Sequence, residues 1–111
     1  LLVLCLILSL AVACAPSDYT GTYQYSSTSY IYVDSFDGTD GRAVVTNIIV
    51  KEINDGKAYS TPENGYESFK ATKSSNDIYK ITITISNKTI IGSFDTKNMK
   101  IILDGRTYSK V

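Results

Sequence analysis

The sequence predicts an all-β protein, an antiparallel meander of about eight or nine short strands that forms a small barrel or a two-sheet sandwich. Three observations predict this class. Ile81, Ile83 and Ile85 alternate with polar residues, which is the period of a strand and not of a helix. Thr, Ile, Val and Tyr dominate such stretches. The turn-forming segments between them are short, and short connections join antiparallel neighbours.

Each predicted strand is bounded by turn-forming residues, and Asp104-Gly105 is the strongest of these signals. It is typical of a type I′ hairpin turn, in which both residues take positive φ. We expect the last strand, through Tyr108, to pair near the first, because closure of a barrel hides both edges. Shorter loops are predicted at Asn54-Asp55-Gly56, Ser86-Asn87-Lys88, Thr96-Lys97-Asn98 and around Pro62. The predicted strands are 20–25, 29–33, 42–52, 57–61, 66–72, 78–85, 89–94, 99–103 and 106–110.

The strand around Ile83 has a definite predicted register. Sheet side chains alternate between faces, and a slip of one residue would bury a lysine. We therefore expect the three isoleucines 81, 83 and 85 to point into the core. The residues expected to face outward are Lys80, Thr82 and Thr84.

An apolar run, Leu1 to Leu10, and three small residues precede Cys14. A secretory signal combines such a run with a small-residue cleavage site. The run is shorter than the roughly 20 apolar residues of a membrane-spanning helix, so a retained anchor is the less favoured alternative. The basic start and an initiator methionine are missing, and we infer that the first few residues are absent. We expect a signal peptide over 1–13, a tether over 14–19 and one β domain over 20–111.

The segment LSLAVAC resembles the lipobox of bacterial lipoproteins, which signal peptidase II cuts before a diacylated cysteine. The resemblance covers the first 14 residues and departs from the family at Ala11, where Leu is preferred. It implies cleavage between Ala13 and Cys14 and a lipid on Cys14. It also implies an exported, membrane-anchored protein of the bacterial cell envelope, at the periplasmic face or the cell surface. The alternative is an ordinary secretory signal with a chance cysteine near its end.

The cysteines are consistent with lipidation. Cys5 lies within the predicted signal, so the mature chain keeps Cys14 alone and forms no internal disulfide. A single cysteine in an exported chain calls for a special explanation. Acylation provides one, and an intermolecular bridge is the other.

Composition and the missing motifs argue against several functions. Eleven basic and eleven acidic residues give no net charge, and this balance does not favour nucleic acid. The chain has no histidine, the commonest general base and zinc ligand. No phosphate-binding loop or nucleophile elbow occurs. Glu63 and Glu67 would suit a hydrolase in principle, but we expect them to face water. We predict no enzyme activity and no cofactor.

Asp34, Asp37 and Asp40 form a weak candidate calcium site around two glycines. Carboxylate oxygens on a flexible loop suit Ca²⁺. The spacing departs from the EF-hand pattern, and Asp and Gly are equally typical of a polar turn. The turn is the favoured interpretation.

Tyrosines crowd the first two predicted strands. Strand alternation puts Tyr23 and Tyr25 on one face, and Tyr30 and Tyr32 likewise on one face. Paired across a hairpin, they would form an aromatic ladder able to stack on a sugar or dock a partner. The favoured alternative is that they only stabilise the sheet.

The leading functional hypothesis is a non-catalytic envelope lipoprotein with a binding or structural role. Its partners would be the membrane, through the lipid, and a protein, glycan or small apolar ligand. The opening Gly21-Thr22-Tyr23 before a meander faintly resembles lipocalin-like barrels, which implies a carrier of a small apolar ligand as an alternative. A small hydrolase or protease inhibitor is a further alternative.

Overall fold

The computed structural model describes residues 19–53 and 56–111, which form ten strands and contain no α-helix. The all-β prediction is confirmed. The strands are β1 (Gly21–Gln24), β2 (Tyr30–Phe36), β3 (Asp40–Thr46), β4 (Ile48–Ile49), β5 (Ala58–Tyr59), β6 (Glu67–Lys73), β7 (Ile78–Ile85), β8 (Lys88–Asp95), β9 (Lys100–Leu103) and β10 (Arg106–Lys110).

Eight of these strands close into an antiparallel barrel in the order β1-β10-β9-β8-β7-β6-β3-β2. The first and last strands pair, with Tyr23 opposite Lys110, as the sequence predicts. Closure leaves no free edge among the barrel strands, which decides between the two predicted architectures in favour of the barrel.

The predicted alternation along β7 is confirmed. Ile81, Ile83 and Ile85 are buried, whereas Lys80 and Thr84 are exposed and Thr82 is half-buried. The turns also agree with the prediction. Asp104 and Gly105 both have positive φ, 51° and 79°, and Ser86 and Asn87, at 50° and 63°, join β7 to β8 in the same way.

The predicted strand 42–52 is broken, because Asn47 takes a left-handed φ of 50°. Beyond it the chain leaves the barrel wall, and β4 pairs with β5 in a separate two-stranded sheet. We call residues 47–53 and 56–66 the plug. Its side chains Ile48, Val50 and Ile53 are almost completely buried. Two residues of the predicted Asn54-Asp55-Gly56 turn lie outside the described residues, and the strand predicted over 57–61 is limited to Ala58–Tyr59.

Two different sets of side chains close the two ends of the barrel. The plug covers one end, where the β1–β2 loop and the β9–β10 turn also lie, since Asn47 bonds to Thr28 and Lys51 to Asp104. We call this the plug end. An aromatic cluster fills the other end, and we call it the aromatic end. Its rings are Tyr19, Phe36, Phe69, Tyr79 and Phe94.

Candidate functional site

A groove of about 330 Å³ crosses the plug end of the barrel. The β1–β2 loop forms one side, the start of β10 another, and Ile49 and Ala58 of the plug strands the rest. Its volume lies at the lower end of the range of small-ligand pockets, about 300–1,000 Å³. The side chains that could contact a ligand are Tyr25, Ser26, Thr28, Ser29, Asn47 and Arg106.

The β1–β2 loop holds its hydroxyl groups in one arrangement. The Tyr25 and Ser26 amides donate to the Ser29 carbonyl at 3.0 and 3.1 Å. The Ser26 hydroxyl accepts from the amides of Thr28 and Ser29 at 3.3 and 3.1 Å. Asn47 of the plug donates its side-chain N–H to the Thr28 carbonyl at 3.1 Å, so the loop and the plug are tied together. Ser26 and Asn47, which hold the loop and the plug in place, therefore also line the groove.

Arg106 is the charged residue of the groove. One guanidinium N–H donates to the Ile49 carbonyl of the plug at 2.8 Å. The guanidinium carbon lies 5.5 Å from the centre of the Tyr25 ring, a cation–π distance. These two contacts restrict the orientation of Arg106. The bond to the Ile49 carbonyl uses one of its five N–H donors.

Tyr108 lies behind the groove, where its ring is completely buried 5.8 Å from that of Tyr25. No group in the described part of the chain satisfies its hydroxyl with hydrogen-bond geometry. Burial raises the pKa of Tyr108, whereas the Ser29 hydroxyl, a hydrogen-bonding neighbour that does not meet that geometry, and the charge of Arg106 lower it. A buried hydroxyl without a partner is uncommon in folded proteins. Its neighbours Ser29, Tyr25 and Arg106 all line the groove.

Tyr23, Tyr25, Tyr30 and Tyr32 do not form the aromatic ladder that was the less favoured alternative. The strand register sets Tyr23 opposite Ile31 and Tyr32 opposite Thr22, so the two pairs point to opposite faces of the sheet. Tyr23 is buried and donates its hydroxyl to the Tyr19 carbonyl at 2.7 Å. Tyr30 and Tyr32 lie on the outer wall. Only Tyr25, 54% exposed beyond the end of β1, reaches the groove.

Asp34, Asp37 and Asp40 do not converge on a cation site. Asp34 pairs with Arg42 at 3.0 Å, and Asp40 with Lys70 at 2.5 Å. The Asp37 carboxylate accepts the amides of Thr39 and Asp40 at 2.9 and 2.7 Å, and these bonds lower its pKa. Within residues 19–53 and 56–111 no three acidic side chains could hold a metal ion together. Asp37 lies in the polar β2–β3 turn that the sequence favours, and Asp34 and Asp40 lie in the strands on either side of it.

Glu67 departs from its expected position in water. It is 8% exposed and accepts a hydrogen bond from the Tyr59 hydroxyl at 2.9 Å, whereas Glu63 is exposed. Burial and this carboxylate raise the pKa of Tyr59. The contact fastens β5 of the plug to the start of β6.

The barrel interior is filled with side chains. Isoleucines, valines and phenylalanines from the barrel strands leave about 10 Å³ between them, room for about one water molecule. A ligand would therefore have to displace part of the plug or of the core to enter.

Cys14 lies outside the described residues. Within the described ranges no helix is long and apolar enough to cross a membrane.

No family model, curated protein or solved structure matches this chain.

Proposed function

We propose that this chain is an exported lipoprotein of the bacterial cell envelope, with a lipid on Cys14 and a non-catalytic β domain that binds a ligand through the groove at the plug end. The anchor rests on the lipobox-like segment and the binding role on the groove, and the position of Tyr19 relates the two. It packs on Phe36 and Phe94 at the aromatic end, which is the end opposite the groove.

The predicted tether would orient the domain on the membrane. Tyr19 is five positions after Cys14, and an extended chain covers roughly 3.5 Å per residue, so the aromatic end would lie within about 20 Å of the lipid. The groove would then face away from the membrane, towards ligands in the surrounding compartment. A filled core supports a rigid scaffold for such a groove.

Metabolic labelling with a fatty-acid analogue tests the lipid anchor. The chain is expressed in a bacterial host behind an initiator methionine and a short basic segment. We expect label on the wild-type chain, recovery in the membrane fraction, and an N-terminal peptide that begins with acylated Cys14. The Cys14→Ser variant is the control and should carry no label. An unmodified N-terminus downstream of Cys14 would overturn the proposal.

A lipocalin-like carrier is the second candidate, because the closed eight-stranded barrel is the architecture that such carriers use. Its interior is apolar, but Ile48, Val50 and Ile53 of the plug close one end. A carrier would therefore have to displace the plug on binding. An environment-sensitive fluorescent fatty acid tests this candidate: saturable binding by the wild-type chain would favour the carrier, and no binding would argue against it.

A further inference from the structure

We propose that the groove at the plug end recognises an acidic saccharide, a sugar that presents a carboxylate beside its hydroxyl groups. This inference rests on the proposed binding function and names the class of ligand.

The two arginines of the chain provide the first argument. Both lie over a tyrosine ring, Arg42 at 5.0 Å from Tyr66 and Arg106 at 5.5 Å from Tyr25. Arg42 also pairs with the Asp34 carboxylate at 3.0 Å. Among the described residues, Arg106 has no carboxylate within ion-pair distance, and its bond to the Ile49 carbonyl uses one N–H. The guanidinium that lines the groove is therefore the one free to donate to an external carboxylate. A bidentate pair is the strong form of that contact.

The buried Tyr108 hydroxyl provides the second argument. It is completely buried and meets no partner with full hydrogen-bond geometry in the described part of the chain, where the Ser29 hydroxyl is its hydrogen-bonding neighbour and Arg106 a nearby positive charge. A hydroxyl both donates and accepts, so a ligand hydroxyl would satisfy it if the Ser29 and Arg106 side chains, which line the groove in front of it, moved apart on binding. Such a bond would connect the ligand to the barrel core.

The other side chains that line the groove favour a sugar over other ligands that carry a carboxylate. Ser26, Thr28 and Asn47 make hydrogen bonds within the loop and to the plug but keep donor or acceptor capacity beyond them, and the exposed Tyr25 ring offers an apolar surface. A sugar ring presents both kinds of surface. The loop amides of Tyr25, Ser26 and Ser29 are engaged within the loop, so an extended peptide would find few backbone partners there. A simple inorganic anion would leave Tyr25 and the hydroxyls unused.

The test compares trigalacturonic acid with the neutral trigalactose by calorimetry on the full chain, with amide NMR spectra to locate the site. We expect trigalacturonic acid to bind and to shift signals of the β1–β2 loop. Arg106→Gln should weaken that binding by about tenfold or more, the effect of losing a hydrogen bond to a charged group. The matched control, Arg42→Gln, should bind as the wild type does.

Because Arg106 also contacts the plug, a second pair of variants checks the site independently. Tyr25→Leu keeps the arginine and its bond to Ile49, and it should weaken trigalacturonic acid binding. Tyr32→Leu, on the outer wall, should not. Amide spectra that are unchanged away from each substituted residue would show that all four variants are folded.

Four results would overturn the inference: no binding of trigalacturonic acid, equal binding of the neutral trisaccharide, equal competition by inorganic sulfate, or equal losses in the Arg42 and Arg106 variants. Binding of the neutral sugar alone would reject the acidic class and leave the binding function standing. The calorimetry does not depend on the acyl chain, so its outcome is separate from that of the labelling experiment.

Discussion

Gly41 and Phe69 face each other across β3 and β6, and the Phe69 ring occupies the space that a side chain at position 41 would take. A Cβ added to Gly41 would overlap with three atoms of that ring. Phe69 also packs on Phe36, 5.6 Å away between ring centres. The glycine is therefore required for the aromatic cluster, since the ring lies directly on the backbone of β3.

Gly41→Ala should destabilise the protein by about 1–3 kcal/mol, the usual effect of overpacking a core. The cause is displacement of the Phe69 ring, so the double variant Gly41→Ala/Phe69→Leu should lose less stability than the two single changes together. Chemical denaturation of the four proteins measures this coupling. Additive losses would show that the ring does not limit position 41.

Ile83 and Ile91, on neighbouring strands, allow the same substitution to be compared at a buried and an exposed position. Ile83 is 3% exposed in the core, whereas Ile91 is 61% exposed on the outer wall. Ile83→Ala should cost about 2–5 kcal/mol, as large-to-small changes in cores do. Ile91→Ala should stay within about 0.5 kcal/mol. Urea unfolding curves compare them, and equal losses would contradict the register of β7 and β8.

Most of the barrel wall could be predicted from the sequence because the patterns that determine its strands and turns lie in adjacent residues. The alternation around Ile83 and the Asp104-Gly105 turn each involve adjacent residues whose chemistry dictates backbone and face. The plug could not be predicted in this way. Residues 42–52 read as one strand, and only the left-handed Asn47, held by Ser60 and Thr28, turns the chain inward.

The candidate groove could not be predicted because it depends on contacts between distant segments. Arg106 and Ile49 are 57 positions apart, and neither stands out in the sequence. The cross-strand pairing of the tyrosines could not be predicted for a related reason. Alternation within each strand was correct, but the cross-strand register, which sets Tyr23 opposite Ile31, depends on the whole barrel.

The stability of the fold should fall in alkaline solution. Burial, and to a lesser extent Tyr19, raises the pKa of Tyr23 from 10.0 to about 12. The unfolded chain thus releases this proton near pH 10, while the folded protein keeps it, so folding weakens as the pH rises through this window. In this window the free energy of unfolding falls by about 1.4 kcal/mol per pH unit for one such tyrosine. Tyr59 and Tyr108, whose pKa values are also raised, act in the same direction.

Denaturant titrations between about pH 8 and about pH 11 measure this loss, with tyrosinate absorbance as the second signal. The Tyr23→Phe variant should show a smaller slope than the wild type. A stability that does not change over this range would contradict the buried position of Tyr23.

Tyr23 and Tyr108 are both completely buried, but their hydroxyl groups differ. The Tyr23 hydroxyl donates to the Tyr19 carbonyl at 2.7 Å, whereas that of Tyr108 has no hydrogen-bond partner in the described part of the chain. Tyr23→Phe should therefore cost about 1 kcal/mol of unfolding free energy, the net value of a hydrogen bond. Tyr108→Phe should be neutral or stabilising, because it removes a buried polar group that nothing compensates. Thermal and urea unfolding at neutral pH decide between these outcomes. A Tyr108→Phe loss as large as that of Tyr23→Phe would mean that its hydroxyl already has a partner in the free protein, and the argument that it awaits a ligand in the groove would fail.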